Sequence, residues 1–310
     1  MLTVALLAFS LFRYVGDPVV FMLGQDATPE ERAAVSVGLG LDQPFHVQYT
    51  RFVSRALTWE FGMSLRQMRP VSTLFLERLP ATLELSLVAA VFALVAGVAM
   101  GVRTALAPRS ILSQLFLVIS LAGVSLPTFL IGILLILLFS VHLGWLPSFG
   151  RGETLLIGWW STGLLTVSGL KALVLPAVTL GLFQMTLIMR LTRAEMLEVL
   201  RTDHIRFARA RGLPERSIQL RHALRNTLIP VITVTGLQLG SIIAFAIITE
   251  TVFQWPGMGL LFIQSVMFAD VPVMAAYLCL IALIFVIINL MVDVLYHVVD
   301  PRLRMNGAAT

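Results

Sequence analysis

The sequence predicts an all-α, polytopic membrane protein of about six crossings, and three observations predict it. Of the 310 residues, 58% are hydrophobic and 13% charged, where soluble chains have roughly 45–50% and about 25%, and mean hydropathy is +0.91. Apolar runs of spanning length recur from residue 80 onward. The charge is asymmetric: residues 190–225 hold nine arginines against four acids, which accounts for the whole net charge of +5. A basic balance suits nucleic acid in a soluble chain, but here the excess sits between two apolar runs and marks topology instead. The single cysteine, Cys279, excludes an internal disulfide and Cys-pair metal or redox chemistry.

The elements follow in order. Leu2–Phe12 is apolar but too short to cross a core about 30 Å thick, which needs roughly 20 residues. With no basic stretch before it and no small-residue cleavage site, it reads as the remnant of a first helix whose opening ten to twenty or so residues lie upstream of Met1. Residues 13–79 carry seven arginines and seven acids among turn formers such as Gly16, Pro18 and Gly24. They are expected to form an ordered external cap. Within it Thr28-Pro29-Glu30-Glu31 has the pattern of a capped helix start.

Four clear spans follow, Thr82–Val102, Ile111–Val141, Leu228–Thr249 and Val273–Leu295, with a shorter fifth at Ala172–Met189. Pro127 is expected to kink or tilt the second of these. The stretch 154–170, with Trp159 and Trp160 among Ser, Thr and Gly, reads as interfacial rather than spanning. Arginine in short loops marks the cytoplasmic side. The 190–225 loop, the turn with Arg103 and Arg109, and the tail 299–310 with Arg302 and Arg304 then share that side, and both termini are cytoplasmic. The core is 80–298.

Inside the basic loop, Asp203 to Gly212 reads as a short helix. Asp203 suits its positive end, Arg209 and Arg211 its negative end, and Gly212 its left-handed stop. Leu213-Pro214-Glu215 opens a second limb reaching Arg225. A loop that only fixes topology and meets anionic headgroups is the plainer account. It does not require the stop at Gly212 or the small Ala208 and Ala210 between charges, which suggest close approach to another protein. There is no GxxxxGK, and the one lysine, Lys171, lies in an external loop, so the chain binds no nucleotide through a P-loop. GxSxG and HExxH are also absent, and the five histidines show no metal-ligand spacing.

Charges within apolar runs call for an account. Glu84 is placed near a helix start, as a structural charge. Glu250 and Asp293, at opposite ends of the last two crossings, could pair with an arginine of a partner chain or gate a path. Gln184 and Gln238 are the polar candidates for lining a passage, although interhelical hydrogen bonds explain them equally well. Gly97 and Gly101 permit close helix contact, read as packing within the chain, and Gly236 and Gly240 have the same spacing.

Residues Asp203-His204-Ile205-Arg206-Phe207-Ala208-Arg209-Ala210-Arg211-Gly212-Leu213, followed by His222-Ala223-Leu224-Arg225-Asn226-Thr227-Leu228-Ile229-Pro230, resemble the EAA loop of ABC importer permeases in its dipeptide and oligopeptide form. The loop would span 194–227. The likeness extends to Gly16-Asp17-Pro18, Ala81-Thr82-Leu83-Glu84-Leu85, Glu250-Thr251-Val252-Phe253 with Trp255-Pro256-Gly257, and Asp300-Pro301-Arg302. His204 stands where that group usually has tyrosine, and Phe245 where a small residue is common. The resemblance implies a type I importer permease fold and a second, homologous permease beside this one. It also implies two cytoplasmic ATPase subunits that bind ATP and magnesium and receive the 203–213 element, and an extracytoplasmic solute-binding protein. No cofactor is implied on this chain, lipid surrounds it, and nucleic acid is no partner. Gln238, Phe245, Glu250 and Asp293 become pathway or gating candidates. A proton-coupled carrier using Glu250 or Asp293 is the rival reading, and a scaffold without transport a third.

Overall fold

The computed structural model describes residues 28–38 and 42–299 together with isolated positions among the first 23 residues. The apolar start at 2–12, the motif at 16–18 and the tail at 300–310 lie outside the described residues, in whole or in large part. The chain divides into two compact units, one of residues 1–82, 155–162 and 256–285, the other of 83–154, 163–255 and 286–310.

The first unit carries two cap helices. α1, Pro29–Gly38, starts on the expected box: the Thr28 N–H donates to Glu31 Oε2 at 2.9 Å and the Glu31 N–H to Thr28 Oγ1 at 3.3 Å. The bond from the Thr28 N–H, and after it one from the Thr28 hydroxyl to the same Oε2 at 2.9 Å, hold the Glu31 carboxyl below its ordinary pKa. α2, Phe45–Leu57, turns Phe45, Tyr49 and Phe52 toward the ring of Phe9 at 5.1–5.8 Å. The 63–70 turn is held by a partner far away in sequence. Buried Asp270 accepts from the Ser64 hydroxyl and from the Leu65 and Arg66 N–H groups at 3.1 and 3.4 Å.

α3 begins at Val71 rather than within the 80s, so the last residues assigned to the cap are helix. It runs 36 residues to Leu106, roughly 54 Å at 1.5 Å per residue. In the first unit its opening turns bury Val71, Leu74 and Phe75 against Met258 and Leu261 of α9, Met258–Met267, and against Val273 and Ala276 of α10, Val271–Val299. The Met258 N–H donates to Thr82 Oγ1 at 2.8 Å. The stretch read as interfacial contains a hairpin, β1 Leu155–Ile157 and β2 Trp160–Thr162, whose three-residue strands are too short to cross a bilayer. Gly158 at φ +62° opens its two-residue loop.

The second unit is built on α3 and α6, Val167–Val199. A Cβ at Gly97 would stand 2.8 Å from the Met185 carbonyl oxygen of α6, and one at Gly101 2.8 Å from that of Met189. The backbones therefore meet at these two glycines, and the spacing is used within the chain as expected. Ala93, Met100, Met185, Ile188 and Met189 fill the seam, joined by Val231 of α8, Glu215–Val252. Gly236 of α8 faces the Val292 side chain of α10, whose methyl groups would stand 3.0 Å from a Cβ there.

The span expected at Ile111–Val141 is broken, not kinked. α4 ends at Ser125, Leu126 and Pro127 are extended at ψ 138° and 140°, and α5, Thr128–Leu135, continues as a π turn to His142. Proline disfavours helical conformation in the residue before it, and here the chain takes the extended alternative, whereas Pro80, Pro176 and Pro230 are kept inside α3, α6 and α8. Among the described residues four helices, α3, α6, α8 and α10, are long and apolar enough to cross a membrane.

Replacing Gly97 or Gly101 by Ala should force α3 off α6. Each variant is expected to lose on the order of 1–3 kcal/mol, read as a lowered thermal midpoint in detergent, while Gly38→Ala, which meets open space, serves as the control.

Candidate functional site

The basic hairpin is rigid and two-faced. α7, Asp203–Ala210, follows the Thr202 cap and ends in a full Schellman closure. The Leu213 N–H reaches the Ala208 carbonyl at 3.3 Å, the Gly212 N–H reaches that of Arg209 at 2.9 Å, and Gly212 has φ +76°. Its inner face buries Ile205 and Ala208 with Ala105 of α3, Met196 of α6, and Ile218 and Ala223 of α8. Arg206, Phe207, Arg209, Ala210, Arg211 and Leu213 are exposed, Phe207 by 59%. Ala208 is thus a correction: its small side chain serves contact within the chain, not with a partner.

Polar bonds stiffen the hairpin from outside. Arg209 Nε donates to Glu215 Oε1 at 2.7 Å, and this bond, then the charge, raises the arginine's pKa. Arg206 pairs with Asp203 at 3.3 Å, and the Arg211 guanidinium lies 4.6 Å over the Phe207 ring. His204 contacts Thr202 Oγ1 at 2.9 Å through Nδ1 and Asn226 Nδ2 at 3.3 Å through Nε2, bridging the two limbs. The second limb does not stop at Arg225. It is the start of α8, which passes through a π turn at Ile218–Ala223 and runs 38 residues to Val252.

The pathway candidates separate. Gln238 and Phe245, seven residues apart, share a face of α8, with Phe245 exposed and Gln238 half-buried. Its carbonyl accepts from Gln184 Nε2 at 3.3 Å, so an interhelical bond is present. Glu250 is wholly buried within its own unit. Asp293 lies on α10, with its side chain outside the described residues.

Sequence reasoning missed the strongest polar contact of this unit. Glu84 lies more than three turns inside α3 instead of near its start, and is 4% exposed. It accepts from Arg151 Nη2 at 2.6 Å and from the Gly163 N–H at 3.3 Å. Arg151, 7% exposed, stands 5.9 Å from the Trp255 ring, and the neighbouring Gly150 N–H donates to the Phe253 carbonyl at 3.0 Å. The loop after α5 is thereby fastened to α3 and to the end of α8. An isolated arginine in a loop gave one available signal, since a basic residue beside apolar spans needs an acid partner.

Helices of spanning length with a pinned basic hairpin between them make a membrane protein. The comparisons with known proteins agree. The family described as binding-protein-dependent transport system inner membrane component matches residues 93–305, and its N-terminal counterpart matches residues 1–86. The chain is 42% identical over 315 residues to a di/tripeptide transport system permease protein of Pseudomonas aeruginosa, covering 97% of this chain and 94% of that one. It is 38% identical to a dipeptide transport system permease protein of Escherichia coli K12, with the same coverage. Among solved structures it resembles the methionine ABC transporter MetNI, caught inward facing, with TM-score 0.56, 20% identity and coverage of 71% and 93%. An amino acid ABC transporter gives TM-score 0.53 at 13% identity, over 72% of this chain and 93% of that one.

The chain belongs to the inner membrane component family of binding-protein-dependent transport systems, and is an ABC importer permease. The proton-coupled carrier is set aside by this membership.

Breaking the buried pair on one side should be worse than replacing both sides. Arg151→Met strands the Glu84 carboxylate and is expected to cost about 3–5 kcal/mol. Adding Glu84→Met should recover most of the loss, as read by thermal unfolding of the purified permease. A double variant no better than the single would exclude pairing as the source of the cost.

Proposed function

We propose that this permease carries small peptides inward across the cytoplasmic membrane, driven by ATP hydrolysis on two separate cytoplasmic subunits that hold the ATP and magnesium. A second, homologous permease completes the passage, and an extracytoplasmic solute-binding protein delivers the cargo. The peptide cargo is supported by the names of relatives matched along nearly the whole chain. Gln238 and Phe245 line the path on this reading, with Glu250 and Asp293 near its two ends as gating candidates.

The observation that carries the docking role is the two-faced α7. Its apolar side is committed to α3, α6 and α8, and an aromatic ring between arginines is left on the other side at 59% exposure. Lipid attraction needs only charge. A Phe207 ring set under Arg211 on a doubly closed helix is the kind of aromatic and arginine anchor that fills a pocket in a protein partner. Because α7 packs on the ends of three long helices, movement of an ATPase around it is passed on to them.

In the assembled complex, Phe207→Asp should leave assembly intact and lower substrate-stimulated ATPase activity by about tenfold or more. Gly212→Val, strained at φ +76° by roughly 1–2 kcal/mol, should lower it as well. Full stimulation in both would count against the docking role.

The reading also fixes sidedness. A cysteine placed at Arg206 in a Cys279→Ser background should react with an impermeant maleimide only in inside-out vesicles. Labelling from the outer surface of intact cells would reverse the topology.

A further inference from the structure

A transmembrane helix exposes its side chains either to lipid or to protein and water, and the composition of the exposed face separates the two. On α4 the exposed residues from Leu115 to Val124 are all apolar, and so on α10 are those from Leu283 to Met291. On α8 the exposed Leu237, Ala244 and Phe245 flank two half-buried polar side chains. Gln238, Ser241 and Phe245 follow one another at helical spacing, and the Ser241 hydroxyl donates to Gln238 Oε1 at 3.4 Å.

Behind this face stands Gln184 of α6. Its amide is spent on the Gln238 carbonyl at 3.3 Å, and its side chain is 4% exposed. The other half of its carboxamide, Oε1, is buried with no hydrogen-bond partner among the described residues. Turning the amide over would bring two carbonyl oxygens together, so the orientation is fixed by its one bond. An unmet buried acceptor costs about 1–3 kcal/mol, a cost that a donor reaching it at the α6–α8 contact would offset.

We infer that Gln184, Gln238 and Ser241 form a station for the backbone of a peptide in mid-crossing, and that Phe245 beside it limits the side chains that pass. Carboxamides offer both donor and acceptor, as a peptide group does, so they hold a backbone whatever residues it carries. Selection by size then falls to the wall. Phe245 is the one aromatic residue of α8, and it is 56% exposed. The inference rests on the reading of the cargo as a peptide.

The test uses the complete complex in proteoliposomes, with Gly-Gly and Trp-Trp each supplied as a preformed complex with the binding protein, and the uptake ratio of the two peptides as readout. Phe245→Ala should raise the ratio of bulky to small peptide on the order of tenfold, and Phe245→Leu by less. Gln184→Leu should slow both peptides by a similar factor and leave the ratio in place. An unchanged ratio in both Phe245 variants, with the native complex moving dipeptides, overturns the station and spares the peptide reading. A native complex that moves neither peptide overturns both. If Phe245→Ala fails to assemble, Phe245→Leu alone decides, through a raised or an unchanged ratio.

Discussion

The approach of α3 to α6 at Gly97 and Gly101 is the contact on which the second unit depends. With a Cβ at either glycine the helices could not come this near, because the atoms opposite are backbone oxygens that cannot turn aside. The seam continues past the glycines into the cluster of Ala105 and Met196, where Ile205 and Ala208 of α7 are seated. The position of the basic hairpin is therefore a product of helix packing, not of its own charge. Its arginines are free to face outward because two small or branched apolar residues hold the inner side.

Among its described residues the same unit buries one ion pair within many apolar contacts. Arg151 joins a loop to a helix, and its carboxylate partner also accepts a backbone N–H from Gly163. Removing both charges from water is expensive, and the cost is offset only because several groups converge on the pair. In the first unit Asp270 plays a similar part, gathering the Ser64 hydroxyl and two N–H groups of the adjoining turn. Loops that would otherwise be loosely held are tied by a buried carboxylate in each unit.

What could be read from the sequence was mainly local. The capping box at Thr28 and Glu31, the stop at Gly212 and the long apolar helices depend on neighbours a few residues away, and they were legible. Contacts closed by the fold were not. Glu84 and Arg151 lie 67 residues apart and Ser64 and Asp270 206, and no periodicity links them. Ala208 was read as an outward residue because its small size suits either face of α7, and only the phase shared with Ile205 shows which. Pro127 was read too mildly, since a run of apolar residues hides the extended pair at Leu126 and Pro127. Of the residues proposed for the pathway, the shared face of Gln238 and Phe245 follows from their spacing, whereas the burial of Glu250 needed the packing around it.

The π turn at Ile218–Ala223 has a geometric consequence for everything beyond it in α8. A π turn holds an extra residue compared with an α turn, so it sets the rotational phase of the helix above it relative to the hairpin below. Each residue of an α-helix turns it by about 100°. Deleting one residue at this point, and nothing else, would swing Gln238 and Phe245 around the axis while leaving α7 in its seat. The bulge acts as the keyway that aligns the membrane half of a long shaft with its handle.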